Sequence, residues 1–157
     1  MRLVVRAVSL FALACAQDPP SAERSPTRIE AAADEEFRLA IGETAVVAGT
    51  DLRITFRAVV NDSRCPSAVQ CVSAGNAEVA LQVRQGSADT SFVLNTTRGP
   101  RTATQPGFLI ELIALTPYPE RPESPIPAAV YRADLTVSIL PQLTGIPFRL
   151  ARTAAPN

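Results

Sequence analysis

The chain lacks histidine, lysine and tryptophan, and its single methionine is Met1. Histidine is the usual general base near neutral pH and the commonest metal ligand. Its absence excludes serine–histidine and cysteine–histidine catalysis and most zinc and copper sites. The absence of lysine also excludes Schiff-base chemistry and a P-loop lysine. We therefore expect no cofactor and no enzymatic role.

The charges are balanced and scattered. Fifteen arginines match fifteen acidic residues in a chain of 157 residues, and no block of like charge stands out. A nucleic acid is therefore not an expected partner. The length suits one domain with a tether.

The N-terminus has the pattern of an export signal. Arg2 and Arg6 precede a short apolar run, residues 7–14, which cannot span a bilayer and leads into Cys15. This pattern resembles the bacterial lipoprotein signal, although Ala12 stands where leucine is usual. We expect a signal peptide over residues 1–14, lipidation of Cys15 and a proline-containing tether over residues 15–34. The alternative is ordinary cleavage after residues 14–16, which would remove Cys15.

From residue 37 onward, apolar and polar residues alternate with a period of two, which is typical of strands with one buried face. The pattern predicts an all-β domain over residues 35–140, an antiparallel, immunoglobulin-like β-sandwich of about 6–8 strands, with a small β-barrel as the alternative. Residues 141–157 are expected to add an edge segment, with a short strand at residues 146–150, and a frayed tail. The alternating segments are residues 37–41, 51–60, 77–84 and 131–139. Residues 92–94 are predicted to form a shorter strand, and residues 108–115, apolar on both faces except at Glu111, a central strand.

Two cysteines lie six positions apart, between two predicted strands. Redox pairs usually have two residues between the cysteines, at the start of a helix, whereas Cys65 and Cys71 are separated by five with no predicted helix. We therefore predict a structural disulfide. Such a bond indicates an exported protein, at the cell envelope if lipid-anchored (facing the periplasm or the cell surface) or otherwise secreted.

Two loops are the candidate binding regions, residues 61–76 and the proline-rich residues 116–128. Asp62 could hold calcium together with Asn61, or could join Arg64 in binding a ligand carboxylate. We favour turn capping by Asn61 and Asp62, with Arg64 paired to a nearby acid, because calcium loops normally array several acids. The candidate binding residues are Asn61, Asp62, Arg64, Tyr118 and Arg121.

The same loop carries a resemblance. Asp-Ser-Arg-Cys-Pro at residues 62–66, Cys-Val at 71–72 and Ala-Gly at 74–75 are followed later by Leu-Thr-Pro-Tyr-Pro at 115–119 and by Tyr131. Over residues 37–140 the chain resembles a group of small, uncharacterised bacterial secreted proteins and lipoproteins with this disulfide loop. Ser73 stands where the group commonly has tryptophan. The resemblance implies an exported all-β domain and no particular activity.

These observations favour a non-enzymatic domain that binds an unknown envelope protein or a small ligand, and that contacts the membrane through its lipid anchor only. One alternative is an inhibitor of an envelope or extracellular hydrolase, with a stiff loop as its insert. Another is a small carboxylate-based enzyme using Glu78, Glu111 or Asp134. Glu111 is expected to be the buried one, because it interrupts an apolar strand.

Overall fold

The computed structural model describes residues 27–141. These residues form nine strands and one short 3-10 turn, Ala128–Val130. The strands are β1 (Arg28–Ala31), β2 (Glu36–Ala40), β3 (Thr44–Val47), β4 (Leu52–Asp62), β5 (Ala77–Gln85), β6 (Ala88–Asn95), β7 (Thr102–Gln105), β8 (Phe108–Thr116) and β9 (Arg132–Ile139).

The strands form two sheets. One has five strands in the order β1-β3-β4-β5-β6, and the other has four in the order β2-β9-β8-β7. Every pairing is antiparallel except that of β1 with β3. The predicted antiparallel sandwich is thus confirmed, and the sheets do not close into a barrel. Successive strands β3 to β6 and β7 to β9 form two meanders, whereas an immunoglobulin domain interleaves its strands between sheets.

The core follows from the alternation in the sequence. Every second residue of β5 is buried, from Ala77 to Val83, and the residues between them face outward. Phe56 from one sheet and Leu112 and Leu135 from the other are completely buried. The inward side chains of both sheets are apolar and are buried away from water. This burial is the main contribution that holds two such sheets together.

Strand β4 departs from simple alternation near its end. Its pairing with β5 shifts register between Phe56 and Ala58 and again between Val59 and Asn61. An extra residue at each bulge turns the following side chains to the other face. Val60 therefore lies 60% exposed, although the alternation predicts it to point inward, and Val59 packs against the core instead.

The predicted tether ends earlier than expected. Residues 15–34 were assigned to it, but Arg28–Ala31 forms β1, which pairs in parallel with β3 and buries Ala31. A strand of four residues is too short to show a clear alternation in the sequence. This applies to β1 and to the equally short β3 and β7. The count of nine strands therefore exceeds the predicted 6–8.

Several predictions concern residues that the structure does not describe. The signal peptide, Cys15, the first part of the tether and the edge strand at residues 146–150 all lie outside residues 27–141. Within those described residues, no helix has the length and hydropathy needed to cross a bilayer.

Candidate functional site

The two candidate loops lie together at one end of the sandwich. The disulfide loop, residues 63–76, connects β4 to β5, and the proline loop, residues 117–131, connects β8 to β9. The backbone N–H of Ser67 donates to the carbonyl of Pro119 at 3.0 Å, and that of Ala68 donates to Glu120 at 3.0 Å. These two backbone bonds join the disulfide loop to the proline loop.

The predicted disulfide is confirmed. Cys65 and Cys71 are bonded, with their Cα atoms 5.9 Å apart, within the usual range. The bond closes a small ring at the outer part of the disulfide loop. A structural disulfide indicates an oxidising, exported compartment.

The base of the disulfide loop requires glycine at one position. The N–H of Cys65 donates to Ala74 at 2.8 Å, and the N–H of Ser63 donates to Asn76 at 2.7 Å, so the two arms of the loop run side by side. Between them Gly75 has a φ of +71°, and a Cβ placed there would lie 1.8 Å from the Ser63 carbonyl oxygen. Only glycine combines this φ with this close approach of backbone to backbone.

Arg64 braces the two loops from inside. Its residue is only 6% exposed. Its Nε and Nη2 donate to the two carboxylate oxygens of Asp62 at 2.8 and 2.6 Å, and its backbone N–H donates to the same carboxylate at 3.2 Å. Nη1 and Nη2 also reach the carbonyls of Leu115 at 2.5 Å and Pro117 at 2.9 Å, in the approach to the proline loop. Four of the five guanidinium N–H groups are thus occupied within the domain.

Tyr131 completes this group from the far end of the proline loop. Its hydroxyl donates to Oδ2 of Asp62 at 2.8 Å. Burial opposes ionisation of Asp62, but hydrogen bonds from Arg64 and Tyr131 together outweigh it and lower the pKa of the carboxyl. Burial and the bond to Asp62 raise the pKa of Tyr131 to about 12. Asp62 therefore keeps its negative charge, and Tyr131 keeps the proton that it donates to Asp62.

A cleft of about 270 Å³ opens above this group, between the two loops. Asp62, Arg64 and Tyr131 form its floor. Its walls are Pro66, Pro119, Pro122, Pro125, Arg121, Ser124 and Ile126. An adjoining groove of about 490 Å³ shares Asp62, Ile126 and Tyr131 with the cleft and continues along the end of β4 to Ile41. The site is thus an elongated, proline-walled depression whose floor is braced by internal bonds.

The two loops also carry exposed apolar side chains outside the cleft lining. Val72 is fully exposed beside Cys71, Val69 is 43% exposed, and Tyr118 is 51% exposed. The ring of Tyr118 lies 5.0 Å from Cζ of Arg64, a cation–π contact that fixes its orientation. Arg121 is exposed on the cleft wall and brings a positive charge to it.

Three of the five candidate binding residues line the cleft, Asp62, Arg64 and Arg121, and Tyr118 contacts one of them, Arg64. Asn61 is exposed and lines the adjoining groove instead. Asp62 and Arg64 form the capped turn and ion pair that we favoured from the sequence. Both Asp62 oxygens already accept hydrogen bonds, which leaves little capacity for calcium or a ligand carboxylate. The described residues contain no cluster of three potential metal ligands.

The three carboxylates considered for catalysis lie on three different strands. Glu78 is on β5 of the five-stranded sheet, whereas Glu111 and Asp134 are on β8 and β9 of the other. Glu111 is half-buried on the outer side, not in the core as expected, because its neighbours in β8 take the inward positions. Asp134 is buried and binds Arg38 through both oxygens, at 2.5 and 3.1 Å.

Two residues that line the site were not identified as candidate binding residues from the sequence. Ile126 and Tyr131 line both depressions, yet Tyr131 is 69 positions from its partner Asp62. Separation of this kind leaves no local pattern. The one available signal was that Tyr131 occurs with the Asp-Ser-Arg-Cys-Pro motif in the resemblance.

Comparison with known proteins adds nothing to these observations, since no family model, curated protein or solved structure significantly matches the chain. The resemblance to bacterial secreted proteins and lipoproteins stays a prediction. The geometry of the loop end must therefore carry the functional proposal.

Proposed function

We propose that this chain is an exported, non-enzymatic binding domain, held at the cell envelope by lipid on Cys15, that binds another envelope protein at its loop end. The observation that carries the proposal is the brace formed by Arg64, which fixes two loops into one depression. Loops that are already ordered lose little conformational entropy on binding, so more of the contact energy contributes to affinity.

The surface chemistry of the loop end supports a protein partner. Val69, Val72 and Tyr118 offer exposed apolar contacts on the two loops that form the cleft, and the polar floor of the cleft is internally satisfied. Arg121 supplies a charge at the side. Aromatic residues and arginine are enriched where proteins bind each other. The internal hydrogen bonds of Asp62 and Arg64 leave neither group free to transfer protons, which argues against a catalytic role for this cleft.

The position of Val72 also favours one alternative, inhibition of a hydrolase. A fully exposed valine directly after a small disulfide ring is held in a stiff segment that could enter an enzyme's cleft. The two candidates predict different results. A partner bound at the envelope should be captured in intact cells, whereas an inhibitor should reduce the activity of a purified envelope protease or lysozyme.

Site-specific photocrosslinking tests the proposed binding end. A photoreactive residue replaces Val72 in one strain and Ile139 in another. Ile139 is the matched control, since it is 55% exposed but lies at the end of β9 away from the cleft. We expect Val72 to capture a discrete partner and Ile139 to capture none. The same products from both positions, or no product from Val72, would refute binding at the loop end.

Mass spectrometry of the mature protein tests the anchor separately. We expect a mature chain that begins at Cys15 with the mass of attached lipid. A mature chain that begins at Gln17 without lipid would refute the anchor and leave the binding proposal standing.

A further inference from the structure

A second surface lies on the solvent face of the five-stranded sheet, and it meets the groove of the loop end at Arg57, which lines both. It carries four exposed arginines from three strands: Arg28 on β1, Arg53 and Arg57 on β4, and Arg84 on β5. They surround a shallow cleft of about 260 Å³ that is also lined by Thr44, Thr55 and Gln82. We call these four residues the arginine face.

The strand register brings two of these charges directly together. Arg53 pairs with Arg84 across β4 and β5. Side chains directly opposite each other on one face have Cβ atoms about 5 Å apart, and like charges in that position destabilise a sheet. Arg84 has some relief from Asp89, at 2.8 Å. Within residues 27–141, no ion pair or side-chain hydrogen bond involves Arg28, Arg53 or Arg57.

This concentration of positive charge is local. Residues 27–141 as a whole contain ten arginines and thirteen acidic residues, so the described domain is mildly acidic. Acids on the same side of the sheet include Glu30 on β1, Glu78 on β5 and Asp89 on β6, and Asp89 pairs with Arg84. None of these acids lines the cleft, whereas all four arginines do, so the cleft itself carries an excess of positive charge.

We propose that the arginine face rests on an anionic membrane and holds the phosphate groups of its lipids. The guanidinium group presents a planar fork of donors that suits phosphate oxygens. A row of four arginines on a nearly flat sheet face also suits a flat, negatively charged surface. Polybasic surfaces next to a lipid anchor are a common second signal for membrane attachment.

The path of the chain fits this orientation. The carbonyl of Thr27, the first described residue, accepts a hydrogen bond from the N–H of Thr44 at 3.0 Å, so the chain leaves the domain beside the cleft of the arginine face. Twelve residues separate Cys15 from Arg28. At about 3.5 Å per residue they reach at most about 45 Å, enough to lay this face against the bilayer. This part rests on the proposed anchor, and the inference extends membrane contact beyond the anchor itself.

A fluorescent reporter on the face tests the inference. Ser91, exposed on β6 and paired with Gln82, is replaced by cysteine and labelled with an environment-sensitive dye in the full chain carrying Cys15→Ser. Quenching of the dye by acrylamide is measured on phosphatidylcholine vesicles with and without about 30% phosphatidylglycerol. Binding of the N-terminal segment, which carries Arg2 and Arg6, also increases with anionic lipid, so contact of the face is read from the change in quenching that the arginine-face variants cause.

We expect phosphatidylglycerol to reduce the quenching at least about twofold, and about 0.5 M NaCl to restore it by screening. Arg57→Gln should raise the lipid concentration needed for half of the effect about fivefold, and Arg53→Gln with Arg57→Gln about 25-fold. Arg98→Gln removes another exposed arginine, beyond β6, and should change this lipid concentration less than twofold.

Three outcomes would overturn the inference: equal quenching on both vesicles, equal effects of Arg57→Gln and Arg98→Gln, or the same protection from inorganic phosphate on phosphatidylcholine vesicles. The last result would assign the face to a soluble anion and not to a membrane. Because the reporter assay uses Cys15→Ser, its failure is distinct from failure of the anchor, which mass spectrometry reads.

Discussion

Arginine has opposite roles in two regions of this molecule. At the loop end, the Arg64 side chain is 4% exposed and donates hydrogen bonds to one carboxylate and two backbone carbonyls. On the arginine face, Arg53 and Arg57 are exposed and contact no carboxylate among the described residues. A buried charge persists only where partners replace the lost water, whereas an exposed charge stays hydrated and available. Arg64 therefore contributes to structure, and the arginine face is left for recognition.

The largest expected effect comes from removing the buried charge. Arg64→Met leaves Asp62 without its cation and leaves the carbonyls of Leu115 and Pro117 unpaired. We expect a loss of about 3–5 kcal/mol in the free energy of unfolding, measured by urea denaturation. The control Arg98→Met should stay within about 0.5 kcal/mol. Similar losses for the two variants would mean that Arg64 is no more structural than a surface arginine.

The next effect tests whether the loop end depends on close backbone packing as well as on charge. Gly75→Ala places a methyl group 1.8 Å from the Ser63 carbonyl oxygen, so the two arms of the disulfide loop must separate. We expect a loss of about 3 kcal/mol, of which about 1–2 reflects the positive φ alone.

Gly49→Ala is the matched control, because Gly49 has a φ of +73° and nothing within 4 Å of an added Cβ. It should lose only the part due to φ, about 1–2 kcal/mol. Equal unfolding free energies for the two variants would show that the loop tolerates separation of its arms.

Alkaline pH should weaken the loop end through Tyr131. Its pKa is raised from the ordinary value of 10.0 to about 12 in the folded state, so the folded protein keeps a proton that the unfolded chain releases. The stabilisation is complete below about pH 10 and is lost as the pH rises through about 12. We expect a decline of about 2 kcal/mol over that window.

Tyr131→Phe separates this contribution from general alkaline unfolding. The variant should lose about 1 kcal/mol at pH 7, for the missing hydrogen bond to Asp62, and should show a flatter decline between pH 10 and 12. Wild type and variant declining in parallel would assign the alkaline sensitivity to other groups.

The sequence predicted the parts of this fold in which local pattern and final structure agree. Long alternating segments identified β4, β5 and β9, because polar and apolar side chains alternate along a half-buried strand, and a continuous apolar run identified β8. The disulfide and the pairing of Asp62 with Arg64 were also predictable, since both involve residues close in sequence. Prediction stopped where position depends on distant residues. Val60 turns outward because of bulges in the pairing with β5, and β1 exists because β3 offers it an edge.

The same limit applies to the two surfaces. The sequence indicated that residues 61–76 and 116–128 were candidate loops, but not that Arg64 and Tyr131 would join them. The arginine face left no signal, because its four members lie on three strands and come from positions 28 to 84. Their proximity is a result of strand order and register, which the alternation alone does not determine.

The smallest effect should have the opposite sign from the first. Arg53→Gln removes a charge that faces Arg84 across the sheet, and it leaves no carboxylate unpaired among the described residues. We expect the free energy of unfolding to rise by about 0.3–0.5 kcal/mol at low ionic strength and the gain to vanish in about 1 M salt, where repulsion between exposed charges is screened. Arg98→Gln changes a residue in the loop between β6 and β7, where no arginine is paired with it across a sheet, and should show no such dependence on salt. If Arg53→Gln instead costs more than about 1 kcal/mol, the exposed arginines are structural like Arg64, and the contrast between the two regions disappears.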